Sequence, residues 1–260
     1  MNTFSFWLSS FFCLAAAFVL LPQVRVIIGI LALPYLAVFA WGIFDLRSNF
    51  FIRACIRNKY AEKKIGLTFD DGPDPGLTSD ILDLLCRFGF RATFFVVAER
   101  AKAHPDVLKR VFAAGHIIAC HDLNHRLSSN FRFTSALVRD ISASQKVVQD
   151  IIGKKMLLYR PPVGLANPHL ATALAVCGMK CIGWSRTCRD AGNRRLKNIR
   201  KISAIPFRHG DVILLHDCLP NPEYKAEILK QMEQLFERIK KENFEPVTVD
   251  ELFELDAYKI

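Results

Sequence analysis

Two adjacent carboxylates, Asp70 and Asp71, stand in Thr68-Phe69-Asp70-Asp71-Gly72-Pro73, where an apolar run gives way to a turn. Neighbouring carboxylates repel unless a cation or a shared proton relieves them, so the pair implies a metal, a proton-transfer role or exposure to solvent. An Asp-rich turn is the plain alternative, since Asp and Gly are ordinary turn residues. Further along, His121-Asp122-Leu123-Asn124-His125 sets two imidazoles four residues apart, a separation that in a helical turn points both at one ion. With Asp71 they make a two-His, one-Asp set that leaves positions open for water and substrate, as a catalytic metal requires; loop histidines at a surface are the competing explanation. Arg160, before Pro161-Pro162-Val163-Gly164, could hold a neighbouring carboxylate ionised and oriented, or form a structural ion pair, which is the same contact. His216 in Leu214-Leu215-His216-Asp217 is either a satisfied core histidine or a titratable ring suited to acid catalysis.

The elements that must position these groups follow from hydrophobic period and turn residues. Strands are predicted at 65–69, 92–97, 116–120, 156–160, 180–185, 212–216 and 246–249, and helices at 77–88, 105–114, 134–152, 168–177 and 223–241, with a short terminal helix. Thr134 is the expected N-cap of its helix, and Gly89, Gly115 and Gly153 are expected stops. Seven strands alternating with helices argue for a parallel sheet, closed into a barrel or doubly wound. On that scaffold Asp70, Asp71, His121, His125, Arg160, Asp190 and His216 all fall at one end of the strands, the end where loops of β/α barrels converge on a site.

The remainder of the chain reads as a membrane attachment. Residues 4–21 and 26–44 contain no charged side chain. As helices they reach about 27–28 Å, close to the roughly 30 Å hydrocarbon core, so the expectation is a two-helix transmembrane hairpin over 1–45. A cleaved signal peptide is the rival for the first run, weakened by its length and by the lack of Lys or Arg before it. Arg47, Arg53, Arg57, Lys59, Lys63 and Lys64 follow the second run, which by the positive-inside rule places the main domain in the cytoplasm; cleavage of the first run would reverse that to a periplasmic or extracellular side. A basic linker is expected over 46–62, in which FFIRACIRNKY could form an interfacial helix, followed by a single domain over 63–255. The net charge of +10 lies beyond residue 45, since residues 1–45 contribute only Arg25 and Asp45, and favours anionic lipid or a phosphate-bearing substrate; nucleic acid ranks lower because no motif for it is present. Eight cysteines without framework spacing fit a reducing compartment, although the even count leaves bridges open, and Cys177 and Cys181, a CxxxC that could suggest metal binding but lacks a second pair, are expected in the core.

TFDDGP, HxxxH, RPPxG and LLHD, in this order over roughly 63–255, closely resemble the motifs of the NodB-homology polysaccharide deacetylases, carbohydrate esterase family 4. The resemblance implies a distorted (β/α)7 barrel and a divalent ion, usually Zn2+, held by Asp71, His121 and His125. It implies Asp70 as general base oriented by Arg160, and His216 as general acid partnered by Asp190. Leu214 would line the acetyl pocket, the backbone N–H of Val163 would meet the oxyanion, and Trp184 would shape the sugar groove. Three positions depart from the family pattern: Asp122 replaces Ser or Thr, Val163 replaces an aromatic, and Ala191 follows Asp190 where Trp is common. The expected activity is removal of N-acetyl groups from an amino sugar by a bacterial-type inner-membrane hydrolase, the substrate being a glycan or a polyprenyl-phosphate-linked saccharide. A deformylase of lipid-linked amino sugars and a catalytically silent glycan-binding membrane protein are the alternatives.

Overall fold

The computed structural model describes residues 3–126 and 131–259. In chain order the helices are α1 (Thr3–Leu20), α2 (Arg25–Phe44), α3 (Thr78–Phe88), α4 (Ala98–Ala103), α5 (Pro105–Ala113), α6 (Thr134–Ile152), α7 (Leu170–Cys177), α8 (Leu196–Ile199), α9 (Lys225–Lys241) and α10 (Val249–Phe253). The strands are β1 (Ala54–Cys55), β2 (Lys64–Asp70), β3 (Thr93–Val96), β4 (Ile117–Cys120), β5 (Lys155–Met156), β6 (Leu158–Tyr159), β7 (Lys180–Ile182), β8 (Arg186–Thr187), β9 (Val212–His216), β10 (Glu245–Val247) and β11 (Tyr258–Lys259).

The main sheet runs β1-β7-β6-β4-β3-β2-β9-β8, parallel throughout, with β10 sharing the edge of β2 that β3 occupies further along. Its two ends, β7 with β1 on one side and β8 on the other, are joined by residues 183–185 alone. So short a connection spans at most about 14 Å, which forces the sheet to curl into a distorted barrel. No strand pair closes the seam among the described residues; it is crossed by the bridge between Arg57 and Asp211, while the Ser185 N–H donating to the Val212 carbonyl continues the β8–β9 ladder.

Period-two alternation sorts the strands into two layers. Ile65, Leu67, Phe69, Phe94, Ile118 and Leu215 face the surrounding helices in the larger cluster. Phe95, Ala119, Leu158, Ile182 and Val212 fill the barrel, where Val249 and Leu252 of α10 join them beneath. The open mouth is therefore at the C-terminal ends of the strands. The outer helices bury apolar stripes such as Ile81, Leu84 and Leu85 of α3, each worth about 1.5–3 kcal/mol against exposure.

All seven expected strands are present, but the run at 156–160 breaks between β5, which pairs with β11, and β6, and the last strand stops at Val247 because Val249 already begins α10. β1, β8, β11, α4 and α8 add to the expected set. Residues 51–57 do not form the interfacial helix: Phe51 and Ile52 are buried in the core and β1 pairs with β7. Thr134 is not a cap either, its hydroxyl lying 3.1 Å from His169 Nδ1. Cys177 and Cys181 are buried, and all eight cysteines are free. α1 and α2 pack together, with the Trp7 and Tyr35 rings 4.2 Å apart. Of the two expected spans, among the described residues only α2 is long and apolar enough to cross a bilayer; the apolar part of α1, Trp7–Leu20, is shorter.

Candidate metal centre and active site

Strand register brings the first groups together. Asp70 at the end of β2 is paired with His216 at the end of β9 on one side and Phe95 on the other, and inner-face alternation turns Asp70 and His216 into the mouth. The next residue, Asp71, takes a left-handed φ of 75°, leaving the strand direction so that adjacent carboxylates serve different neighbours. The turn is tight: a Cβ on Gly72 would lie 1.9 Å from Asp217 Oδ2, so only glycine fits there.

His121 follows β4 and donates its backbone N–H to the Val96 carbonyl. Its Nδ1 lies 2.9 Å from the Arg160 carbonyl, an arrangement that makes Nδ1–H the donor and leaves Nε2 free to ligate. His125, at φ 55°, turns back beside it. Asp71 Oδ1 is 3.4 Å from His121 Nε2 and 3.0 Å from His125 Nε2, and the ligand atoms of the three residues all lie within 4.8 Å of one another. A tetrahedral ion with bonds of about 2.0–2.1 Å places neighbouring ligand atoms about 3.3 Å apart, so the triad fits a small divalent metal. Burial alone would raise the Asp71 carboxyl, but the two histidines outweigh it and hold it well below the ordinary range; burial opposes the rise at His121, which the Asp70 and Asp71 charges impose. Asp122 is buried next to the triad without belonging to it.

Arg160 is fully buried behind Asp70. Its Nη1 donates to Asp70 Oδ1 at 2.6 Å and to Thr68 Oγ1 at 2.9 Å, Nη2 donates to the Gly183 carbonyl, and the guanidinium stacks 3.9 Å over the Phe95 ring. On the opposite wall Asp190 Oδ2 accepts from His216 Nδ1 at 2.9 Å. Burial would lower the His216 ring, but the Asp190 charge and hydrogen bond, helped by Asp71 and Asp70, lift it to about 9.

These groups line one cavity of about 450 Å3 together with Val163, Trp184 and Leu214; Arg160 stands behind its wall. Val163 is half exposed and holds φ 50°, an unfavourable conformation for a β-branched residue, in the turn after Pro162. Trp184 lies against Gly164, where a Cβ would meet its ring at 2.4 Å, so an aromatic ring stands at this wall although Val163 supplies none.

Three further residues, given no role in the sequence analysis, support the site. Asn193 donates its backbone N–H to Asp190 Oδ2 and its amide to the carbonyls of His216 and Cys218, in a loop where Ala191, Gly192 and Asn193 are all left-handed. Thr68 supports Arg160. Asp217 is buried under the turn, accepts from Thr78 at 2.8 Å, and is pushed up to about 7 by burial and the Asp71 and Asp70 charges, against the Thr78 bond. The Asp190-Ala191-Gly192-Asn193 run is a recognisable turn sequence, the one clue that could have singled out Asn193.

Comparison with known proteins agrees with this geometry. Residues 57–182 match the family model described as polysaccharide deacetylase. The chain is 33% identical over 193 residues to a peptidoglycan-N-acetylglucosamine deacetylase of Bacillus cereus, covering 74% of this chain and 88% of that one. It is 31% identical over 162 residues to a chitooligosaccharide deacetylase of Rhizobium leguminosarum bv. trifolii, covering 62% and 75%. The solved structure of the peptidoglycan deacetylase PdaC from Bacillus subtilis superposes with a TM-score of 0.64 at 27% identity, over 74% of this chain and 91% of that one. On motif, fold and sequence together, the chain belongs to the polysaccharide deacetylase family, NodB-like hydrolases of carbohydrate esterase family 4 that act on non-peptide carbon–nitrogen bonds.

Proposed function

We propose that this protein is a membrane-anchored, metal-dependent N-deacetylase of an amino sugar, of the N-acetylglucosamine type named for its relatives. The observation that carries the reading is the metal-fitting triangle of Asp71, His121 and His125 set between two charge pairs, the buried Asp70–Arg160 and the part-buried His216–Asp190. A divalent ion held by the triangle, Zn2+ by its nitrogen and oxygen donors, would supply Lewis-acid polarisation of the amide carbonyl and the attacking water. Asp70, oriented by Arg160, takes the proton from water. The Val163 N–H donates to the developing oxyanion, and Leu214 bounds the space for the acetyl methyl. His216, charged by virtue of Asp190, protonates the departing amine, while Trp184 offers its ring to the sugar.

α1 and α2 form the anchor as a hairpin, and the basic residues after α2, with eight free cysteines, favour a cytoplasmic face for the domain. The test is metal content of the detergent-purified protein with acetate release from N-acetylated sugars, wild type against Asp70→Asn and His121→Ala. Asp70→Asn is expected to retain metal and lose about 10²–10⁴-fold in kcat, and His121→Ala to lose both metal and activity. Folded protein that binds no metal, or that releases formate from N-formyl sugars but no acetate, would overturn the reading.

A further inference from the structure

Three cavities lie in series from the apolar helices to the metal centre. The first, about 290 Å3, is walled by Trp7, Phe11, Tyr35, Leu36, Phe39 and Phe50, with no charged group among its lining residues. The second, about 390 Å3, opens where α2 ends, with Phe44 and Leu46 on its apolar side and Arg47, Arg186 and Arg189 on its basic side. It shares Val163, Gly164, Trp184, Thr187 and Arg189 with the metal cavity. Phe50 of the first cavity packs on Phe51 and Gly42, within a turn of Phe44 of the second. The order is thus apolar, cationic, metal.

The arginines of the middle cavity are not equivalent. Arg47 is paired with Asp45, which also lines that cavity, at 2.9 Å, and Arg186 with buried Asp211 at 2.7 Å. Arg189 is exposed, and no ion pair or hydrogen bond to its guanidinium is found among the described residues, so it stands free at the wall common to both polar cavities. A free guanidinium is a natural partner for phosphate oxygens, and a neutral glycan would use neither it nor the apolar cavity.

We propose that the substrate is an amphiphile, a lipid-phosphate-linked N-acyl amino sugar, with its apolar chain between α1 and α2, its phosphate on Arg189 and its N-acyl sugar in the metal cavity. This rests on the deacetylase reading. The reaction is unchanged: water oxygen bonds to the acyl carbon, the C–N bond breaks, and the proton passes to the amine, with no redox partner. The phosphate is held and not cleaved.

The test uses the full chain in detergent micelles with three probes: N-acetylglucosamine joined to farnesol through phosphate, N-acetylglucosamine 1-phosphate, and tri-N-acetylchitotriose. The prenyl probe is expected to exceed the other two by about tenfold or more in kcat/KM; Arg189→Gln should cut that lead about tenfold, and Leu36→Trp, which fills the apolar cavity, should cut it as well. Calorimetry of farnesyl phosphate with the metal-free protein reads the same site without chemistry, and its affinity should fall about tenfold in Arg189→Gln. The proposal is overturned if chitotriose is turned over as well as the prenyl probe, if the sugar 1-phosphate matches it, or if farnesyl phosphate fails to bind. Absence of acetate from all three probes would refute the deacetylase reading alone, because binding of farnesyl phosphate and its loss in Arg189→Gln would still support the amphiphile site.

Discussion

Two charge pairs, one buried and one part-buried, flank the metal triangle, and their chemistry separates their tasks. Arg160 is permanently cationic and spends its donors on Asp70, Thr68 and backbone carbonyls, so it can fix a base but cannot exchange protons. His216 can exchange them, and Asp190 sets when. The ring, lifted to about 9 from an ordinary 6.5, stays charged across neutral pH. A raised folded value means that this group's contribution to stability is complete below about 6.5 and is lost as pH rises through about 9. Part of the lift comes from Asp71 and Asp70, whose charges a bound cation would offset, so the clean measurement is a nuclear magnetic resonance titration of His216 in metal-free protein. Asp190→Asn should bring the ring down by about one pH unit or more, and in the metal-loaded enzyme should shift the alkaline limb of kcat the same way. An alkaline limb that Asp190→Asn leaves in place would remove His216 from the role of acid.

At the scale of elements, the carboxylate turn between β2 and α3 depends on packing as much as on chemistry. Asp217 Oδ2 occupies the space a Cβ at Gly72 would need, while accepting from Thr78 at the start of α3. Gly72→Ala should therefore destabilise by about 1–3 kcal/mol through overpacking, measured by urea unfolding. The cost should shrink in an Asp217→Ala background, and an unchanged cost there would locate the strain elsewhere. This turn also shows where the sequence is legible. Asp70, Asp71, His121 and His125 stand out because metal and proton chemistry demands particular residue types at short separations. Asp217, Thr68 and Asn193 do not, because their contribution is to donate or accept hydrogen bonds, and a polar residue in a loop or at a strand end looks the same until its partners are placed. The longer strands and amphipathic helices are likewise readable from their period. β1 and β8 are two residues each and too short for a period, and α4 begins directly after β3 without a turn signal.

The whole molecule adds a dependence that no single element reveals. The chain between the apolar helices and β2 reads as a basic linker, yet Leu46, Phe51 and Ile52 are buried in the main core, β1 extends the sheet at β7, and Arg57 Nε lies 3.3 Å from Asp211 Oδ1 across the seam. The end of α2 is joined to the barrel as well, through the Ala166 N–H donating to the Ile43 carbonyl. The wall behind Trp184 is thus completed by the segment that links the barrel to α2, and Gly183, next to Trp184, donates its N–H to the Cys55 carbonyl. Burying those three apolar side chains is worth about 1.5–3 kcal/mol each, a total comparable with the roughly 5–15 kcal/mol that holds a domain folded. A chain beginning at residue 46 is accordingly expected to be soluble and to melt cooperatively, whereas one beginning at residue 63 should aggregate or melt lower by about 10 °C. Scanning calorimetry of the two truncations decides it. Equal melting temperatures would mean that the segment 46–62 only covers the barrel; the expected gap would make it part of the barrel, and would mean that α2 and the candidate site are held in register by the same stretch of chain.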